Sequence, residues 1–333
     1  MRTRTSADAT GSGTGRSRTT TGLALGLVSA ASFGVAGPVA KALIDAGWSS
    51  AGAVLVRIGG AAVVLVVVLA ITRPGVLAAL RADGPALLLY GALAVAGVQI
   101  GYFSAMQYVP VAVALLLEYL GPVLVIVWVW LVRRQPPSRM TVVGAVLAVV
   151  GLLMVLQVWS AGALDWRGVA WGLFGAVCWA SYFLVVDRAG ARTPPLVLVG
   201  VGMVIGTVVV ALCGLVGIVP VVVAIPPDGP VLLAGADVGW VLPAVVLALV
   251  CALLAYLAGV GAVSRIGATR GSLVALLEVV ASALVTWLLL GELPGPWQLA
   301  GGALILAGVV LTRARPAADL PVAAGPTSSR DGP

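Results

Sequence analysis

The sequence predicts an all-α integral membrane protein: ten transmembrane helices arranged as two inverted five-helix repeats. Three observations predict it. Of 333 residues, 61% are hydrophobic and only 9% are charged, where a soluble domain carries roughly 25% charged residues. The apolar residues fall into ten runs, each near the ~20 residues a single span requires. Related patterns then recur five runs apart, and an odd number of spans turns the second copy upside down relative to the first.

Taken in order, residues 1–21 are rich in Ser, Thr, Gly and Arg and read as a disordered tail with nothing to bury. The apolar run that follows Arg16 and Arg18 resembles a signal peptide in its first residues. It continues past Gly34 into Pro38 and Lys41, however, and its pattern returns later. The ten runs lie at roughly 22–44, 51–72, 85–106, 110–132, 140–159, 168–187, 196–219, 239–263, 270–291 and 295–312. In lipid each backbone N–H and C=O must be satisfied within its own segment, so these runs are expected as helices. The longest break, about 220–238, contains Pro220, Pro226, Pro227 and Pro230, and the Pro/Ala/Ser-rich residues 313–333 read as a second disordered tail. The domain plan is therefore a first five-helix repeat over 22–160 and a second over 166–312.

Charge sets the expected orientation. Arg73, Arg81, Arg133, Arg134, Arg139, Arg188, Arg192, Arg265, Arg270, Arg313 and Arg315 all fall on one side of a ten-span scheme, with Arg2, Arg4, Arg16 and Arg18 in the first tail. The opposite side holds Arg167 next to Asp165, together with Asp228 and Asp237. The positive-inside rule then places both termini in the cytoplasm of a multi-pass cell-membrane protein. Trp48, Trp159, Trp166, Trp240 and Trp297 fall at the outer helix ends, where an interfacial belt belongs. Topology thus accounts for the net charge of +7, and no nucleic-acid partner is expected.

The repeat is visible in residues. GLVSAASFGVAGPVAK (Gly26–Lys41) is matched by GLFGAVCWASYFLVVD (Gly172–Asp187). Gly144 and Gly151 are spaced like Gly301 and Gly308, two turns apart and so on one helix face, suited to close helix contact. Such faces can meet within one chain or between two, which leaves a homodimer open. Inverted repeats are a transporter signature, with the site near the midplane between the halves. Three stretches, FGVAGPVAK, YFSAMQYVPVAVALLLEYLGPVL and LVALLEVVASALVTWLLLGELPGPWQLAGGALILAGVVL, together resemble the EamA family of the drug/metabolite transporter superfamily over about residues 22–312. Leu290-Gly291-Glu292 matches the family's LGE turn, and EYLGP (Glu118–Pro122) resembles the family's amino-acid exporters. Arg133-Arg134-Gln135 and Glu278-Val279 stand where the family often has GE and Glu-Pro. The resemblance implies a ten-helix secondary transporter, usually an exporter of small metabolites, with no ATPase and no bound metal.

Charges inside a bilayer are costly unless paired or wet, so each is a functional candidate. Arg57 lies about 9 Å in from its outer helix end and Glu118 about 12 Å in, at 1.5 Å per residue. At these depths they either pair or bind the carboxylate and amine of an amino-acid-like zwitterion. Glu278 lies in the inner half, as an inverted repeat would place a counterpart of Glu118. A carboxyl there can take a proton from one side and release it to the other, so Glu278 and Glu118 are the proton-coupling candidates. Gln99, Tyr102, Tyr182 and Tyr256 complete the expected substrate-binding set, with Gln107 as a further polar group. Lys41 is expected to reach the headgroups, and Glu292 to cap a turn.

Other chemistries are poorly served. There is no histidine, so His-based catalysis and His–metal sites are excluded. Cys178, Cys213 and Cys251 are far apart and suggest neither zinc nor disulfides. No GxxxxGK[ST] occurs, so no ATP site is expected, and no cofactor is expected at all. The remaining alternatives are a channel or facilitator, which would need a filter or pore motif, and a membrane-embedded enzyme acting on lipid-like substrates. The isolated intramembrane acids argue against the latter. An exporter working by alternating access, proton-coupled or exchanging, is the reading the sequence favours.

Overall fold

The structure is a computed structural model and describes residues 11–72, 75–109, 111–157, 159, 165–189, 192–290 and 295–311. Its regular structure is helix apart from one small hairpin, as a chain with no water beside its backbone requires. The first span comprises α1 (Gly11–Gly34) and, after Val35, α2 (Ala36–Asp45). Then come α3 (Ser50–Thr72) and α4 (Val76–Leu89), which passes through a π-helical stretch at Tyr90–Gly97 into α5 (Val98–Ala105). The next apolar run is divided into α6 (Val111–Glu118) and α7 (Gly121–Arg133). It is followed by α8 (Arg139–Leu156), α9 (Trp166–Ala189) and α10 (Pro195–Leu215). A second π-helical stretch, Leu249–Leu254, joins α11 (Val241–Ala248) to α12 (Ala255–Ala275). The chain closes with α13 (Leu277–Leu290) and α14 (Pro296–Leu311).

Among the described residues, eight helical stretches are long and apolar enough to cross a membrane, from Arg18–Asp45 to Val241–Ala275. The expected segments 270–291 and 295–312 correspond to the shorter α13, of 14 residues, and α14, of 16 residues. Three boundaries differ from expectation, one of them the start of α4 at Val76 rather than near 85. Helix begins at Gly11, inside the stretch expected to be disordered: once a helix is nucleated, each further residue costs only propagation. The turn expected between 263 and 270 is one residue wide. Gly267, at φ +80° and ψ 167°, bends the chain within α12, in a region of backbone space that only glycine enters readily.

The break at 220–238 carries β1 (Leu232–Leu233) and β2 (Ala236–Asp237), an antiparallel pair with Leu232 opposite Asp237. Ala234 and Gly235 both have positive φ, the twist a two-residue hairpin loop prefers. This loop is strapped across the α2–α3 turn. The Trp48 indole donates to the Ala224 carbonyl at 2.8 Å, the Ser49 amide to the Val222 carbonyl at 2.9 Å, and the Asp228 amide to the Ala46 carbonyl at 3.0 Å.

Ile58, Leu65, Leu87, Tyr90, Leu198 and Met203 form the centre of the largest buried cluster. Large apolar side chains such as Val63, Ile71, Leu131, Val146 and Leu212 stand exposed along the outer helix faces, far beyond what a soluble monomer shows to water. The glycine faces of α8 and α14 meet within the chain. A Cβ on Gly151 would lie 2.5 Å from the Gly301 carbonyl oxygen, and one on Gly308 2.5 Å from the Gly144 carbonyl oxygen. The two contacts run in opposite sequence directions, so the helices are antiparallel.

At the end away from the strapped turn, charged and polar side chains join separate helices. Asp187, at the end of α9, pairs with Arg133 at the end of α7 and accepts from the Ala268 amide at 3.2 Å, next to Gly267. The Thr193 hydroxyl donates to Asp83 at 2.8 Å. At the strapped end the tryptophans meet in pairs, Trp159 with Trp297 at 5.5 Å between rings and Trp48 with Trp240 at 6.2 Å.

Candidate functional site

Local discontinuities place the polar groups. Proline has no N–H, so Pro122 cannot bond to the carbonyl four residues back, which is that of Glu118. The helix breaks there, and Glu118 becomes the last residue of α6. In α13 Glu278 lies in the first turn, directly after the break at Leu276. Each π-helical stretch ends just before polar residues, one before Gln99 and Tyr102 and the other before Tyr256. Such wide turns re-aim the side chains that follow and are frequent at functional sites.

These elements enclose a cavity of about 570 Å³. Seven of the residues singled out above line it: Arg57, Gln99, Tyr102, Glu118, Tyr182, Tyr256 and Glu278. Its lining reaches Ile44, Ser50, Met106, Leu156 and Gln298, next to the chain turns of the strapped end, and does not include Asp83, Arg133, Asp187 or Thr193. The walls are strongly aromatic, with Phe33, Tyr119, Trp179 and Phe183 beside the three tyrosines above.

The charges are arranged differently from the simplest expectation. Ion pairs form at Lys41–Asp45 and Arg133–Asp187, outside the cavity lining, and Arg57 and Glu118 share the cavity without a contact pair. The Arg57 guanidinium carbon lies 5.4 Å from the Phe33 ring centroid, and its Nε is buried without a hydrogen-bond partner. The cation is turned toward an aromatic face, a favourable but weaker neighbour than a carboxylate. Tyr119 is the polar neighbour of Glu278, and Gln99 of Tyr256. One guanidinium and two carboxyls thus border the same cavity, which suits a solute carrying both charges. The other candidates lie elsewhere. Gln107 is exposed and outside the lining, Lys41 pairs with Asp45 at 2.8 Å in the open, and Glu292 lies outside the described residues.

Sequence reading missed Phe33, Tyr119, Trp179 and Phe183 as lining residues. Tyr119 adjoins Glu118 and Phe33 opens FGVAGPVAK, so both were in view. Their role depends on packing between distant segments, as in the edge-to-face contact of Tyr119 with Trp179 at 5.1 Å.

Comparison with known proteins sets this geometry in context. A family model described as EamA-like transporter family matches residues 20–157 and 166–314. The threonine/homoserine exporter RhtA of Salmonella typhimurium strain LT2 is 36% identical over 123 residues, 37% of this chain and 39% of the exporter's length. RhtA of Escherichia coli K12 is 35% identical over 109 residues, 33% of this chain and 35% of the exporter. The chain therefore spans about two fifths or less of these exporters. An uncharacterized transporter of Bacillus subtilis strain 168, YyaM, is 24% identical over 258 residues, 76% of this chain and 81% of its own. One solved crystal structure shares the fold at a TM-score of 0.67 and 22% identity, covering 89% of this chain and 97% of its own.

Proposed function

This chain belongs to the EamA-like transporter family, and on that premise we propose that it is a secondary transporter exporting small organic metabolites, amino-acid-like compounds among them. The observation that carries the reading is the cavity itself, in which Arg57, Glu118 and Glu278 line one volume without contact pairing. A zwitterion would place its carboxylate on Arg57 and its ammonium toward the glutamates. Gln99, Tyr102, Tyr182 and Tyr256 would orient the rest of the molecule. Relatives named as threonine/homoserine exporters support this class of solute.

The transport cycle is alternating access between two inverted five-helix halves, ten spans in all with α13 and α14 among them. Three pairings support the repeat. The contacts Gly151–Gly301 and Gly308–Gly144 are reciprocal, the π-helical stretches lie in the third and eighth apolar runs, and a helix break adjoins each glutamate. The arginine-bearing end is cytoplasmic on the positive-inside argument, so the cavity faces outward while the Asp187 contacts hold the inner end. Export is driven by protons or by exchange, with Glu278 as the loading carboxyl and Glu118 as its counterpart.

The test is flux in reconstituted vesicles with an imposed pH gradient, screened across labelled metabolites. Saturable, gradient-responsive accumulation is expected for at least one zwitterionic solute. Linear, non-saturating flux would make the protein a channel, and turnover of a lipid without solute movement would make it an enzyme.

A further inference from the structure

The strap between α10 and β1 is dressed unlike a loop in water. From 193 to 227 the sequence has no Asp, Glu, Lys or Arg, and 216–227 carries no polar side chain of any kind. α10 ends at Leu215, yet the apolar sequence runs on through 216–227 without helix. Its side chains are not tucked away. Leu215 is 83% exposed, Val216 70% and Ile225 59%, and Ile218 and Val222 are exposed as well. Val204, Val208, Leu212 and Leu215 recur every three or four residues and stand exposed along one face of α10. Leu215 and Val216 carry that lipid-facing stripe directly into the strap. The strap bonds to Ala46, Trp48 and Ser49, in the turn between α2 and α3, so it lies level with the helix ends rather than above them. Trp48 and Trp240 meet at the same level, as residues of an interfacial belt do. Facing water, such a run would present a contiguous apolar patch.

We infer that 216–227 is an interfacial membrane contact, lying in the boundary between headgroups and acyl chains at the strapped end, with Val216, Ile218, Val222 and Ile225 in lipid. The main chain suits that depth, where few water molecules are at hand to satisfy it. Pro220, Pro226 and Pro227 have no N–H. The amides of Val216, Gly217 and Ile218 donate to carbonyls at the end of α10, and that of Val222 donates to the Ser49 hydroxyl at 2.7 Å. Asp228, and Asp237 after the hairpin turn, mark the return of the chain to water. Ile44 and Ser50, on either side of the bonded turn, line the cavity, so the contact fixes the height of the cavity rim against the membrane. The inference needs the helices to span a bilayer. It does not depend on which side is cytoplasmic or on what is transported.

The experiment places a nitroxide on single cysteines in a cysteine-free background, reconstituted in phosphatidylcholine vesicles, and compares relaxation by oxygen, which concentrates in lipid, with relaxation by a neutral nickel chelate, which stays in water. Val208→Cys, on the exposed face of α10, is the lipid reference, and Ala236→Cys, exposed in β2, is the water reference. Labels at Val222→Cys and Ile225→Cys should show an oxygen-to-chelate ratio several-fold above that at Ala236→Cys and close to that at Val208→Cys. Val216→Cys serves should either variant fail to fold. Ratios matching Ala236→Cys would return the strap to water and overturn the contact. Shielding from both reagents, with spin–spin broadening between labelled chains, would overturn it in favour of a second copy of the protein on this surface.

Discussion

Arg57 sits with its Nε unpartnered and its guanidinium facing Phe33, so its charge is available to an incoming anion. This decides between two accounts of Arg57 and Glu118. Were they a structural ion pair, removing one would strand the other and removing both would restore function. Without a contact pair, Arg57→Ala and Glu118→Gln should each lower flux by about 10- to 100-fold, the span of a hydrogen bond to a charged group. The double variant should stay folded and inactive, and an active one in the vesicle assay would show a structural pair instead. Glu278 has a different expected signature. Glu278→Gln should lose pH-driven accumulation while solute-for-solute exchange persists, since exchange moves no net proton. Retained accumulation would shift the coupling role to Glu118. The polar members of the cavity were legible in the sequence because a charge or amide in an apolar run has few innocuous explanations. The aromatic walls were not, because Trp179 or Phe183 in such a run is equally at home against lipid.

The helices were legible as apolar runs, but their interruptions were not. Hydropathy averages over about 19 residues and passes over a break of one or two, such as Val35, Tyr119–Leu120 or Leu276. Pro38 and Pro122 mark two of the breaks, each standing four residues after the last residue of the preceding helix, Gly34 and Glu118. Spacing put the glycine pairs of α8 and α14 each on one helix face but left open which faces meet, and the contact between them gives a stability prediction. Gly301→Ala would press a methyl onto the Gly151 carbonyl and the Val155 amide. Overpacking of this kind costs about 1–3 kcal/mol, so the variant should melt earlier in detergent, and an unchanged midpoint would mean the two helices slide apart freely. Gly267→Ala should be destabilised by a comparable amount, about 1–3 kcal/mol, because its backbone lies in a region closed to other residues.

For the whole molecule, orientation is the first thing to measure. In a cysteine-free background in intact cells, an impermeant reagent should label Asp228→Cys from outside and leave Ser138→Cys untouched until the membrane is opened. The reverse pattern would invert the scheme. The Asp187 contacts join the ends of α7 and α9 to the bend at Gly267. Asp187→Asn should loosen that end, so that Ala275→Cys, in the cavity lining, is labelled faster from the arginine-bearing side of inverted vesicles. The strap at the other end is held differently, and the difference bears on how such a protein diversifies. Of the three bonds from 222–228 to the α2–α3 turn given above, two join backbone to backbone and the third ends on a carbonyl. Two main-chain bonds remain if either side chain that helps to hold the strap, Trp48 or Ser49, is lost, whereas the fastening at Asp187 vanishes with a single substitution. Random mutation therefore reaches the two ends unequally. A lineage can retune its resting conformation one residue at a time at the arginine-bearing end, while the strapped end stays as inherited.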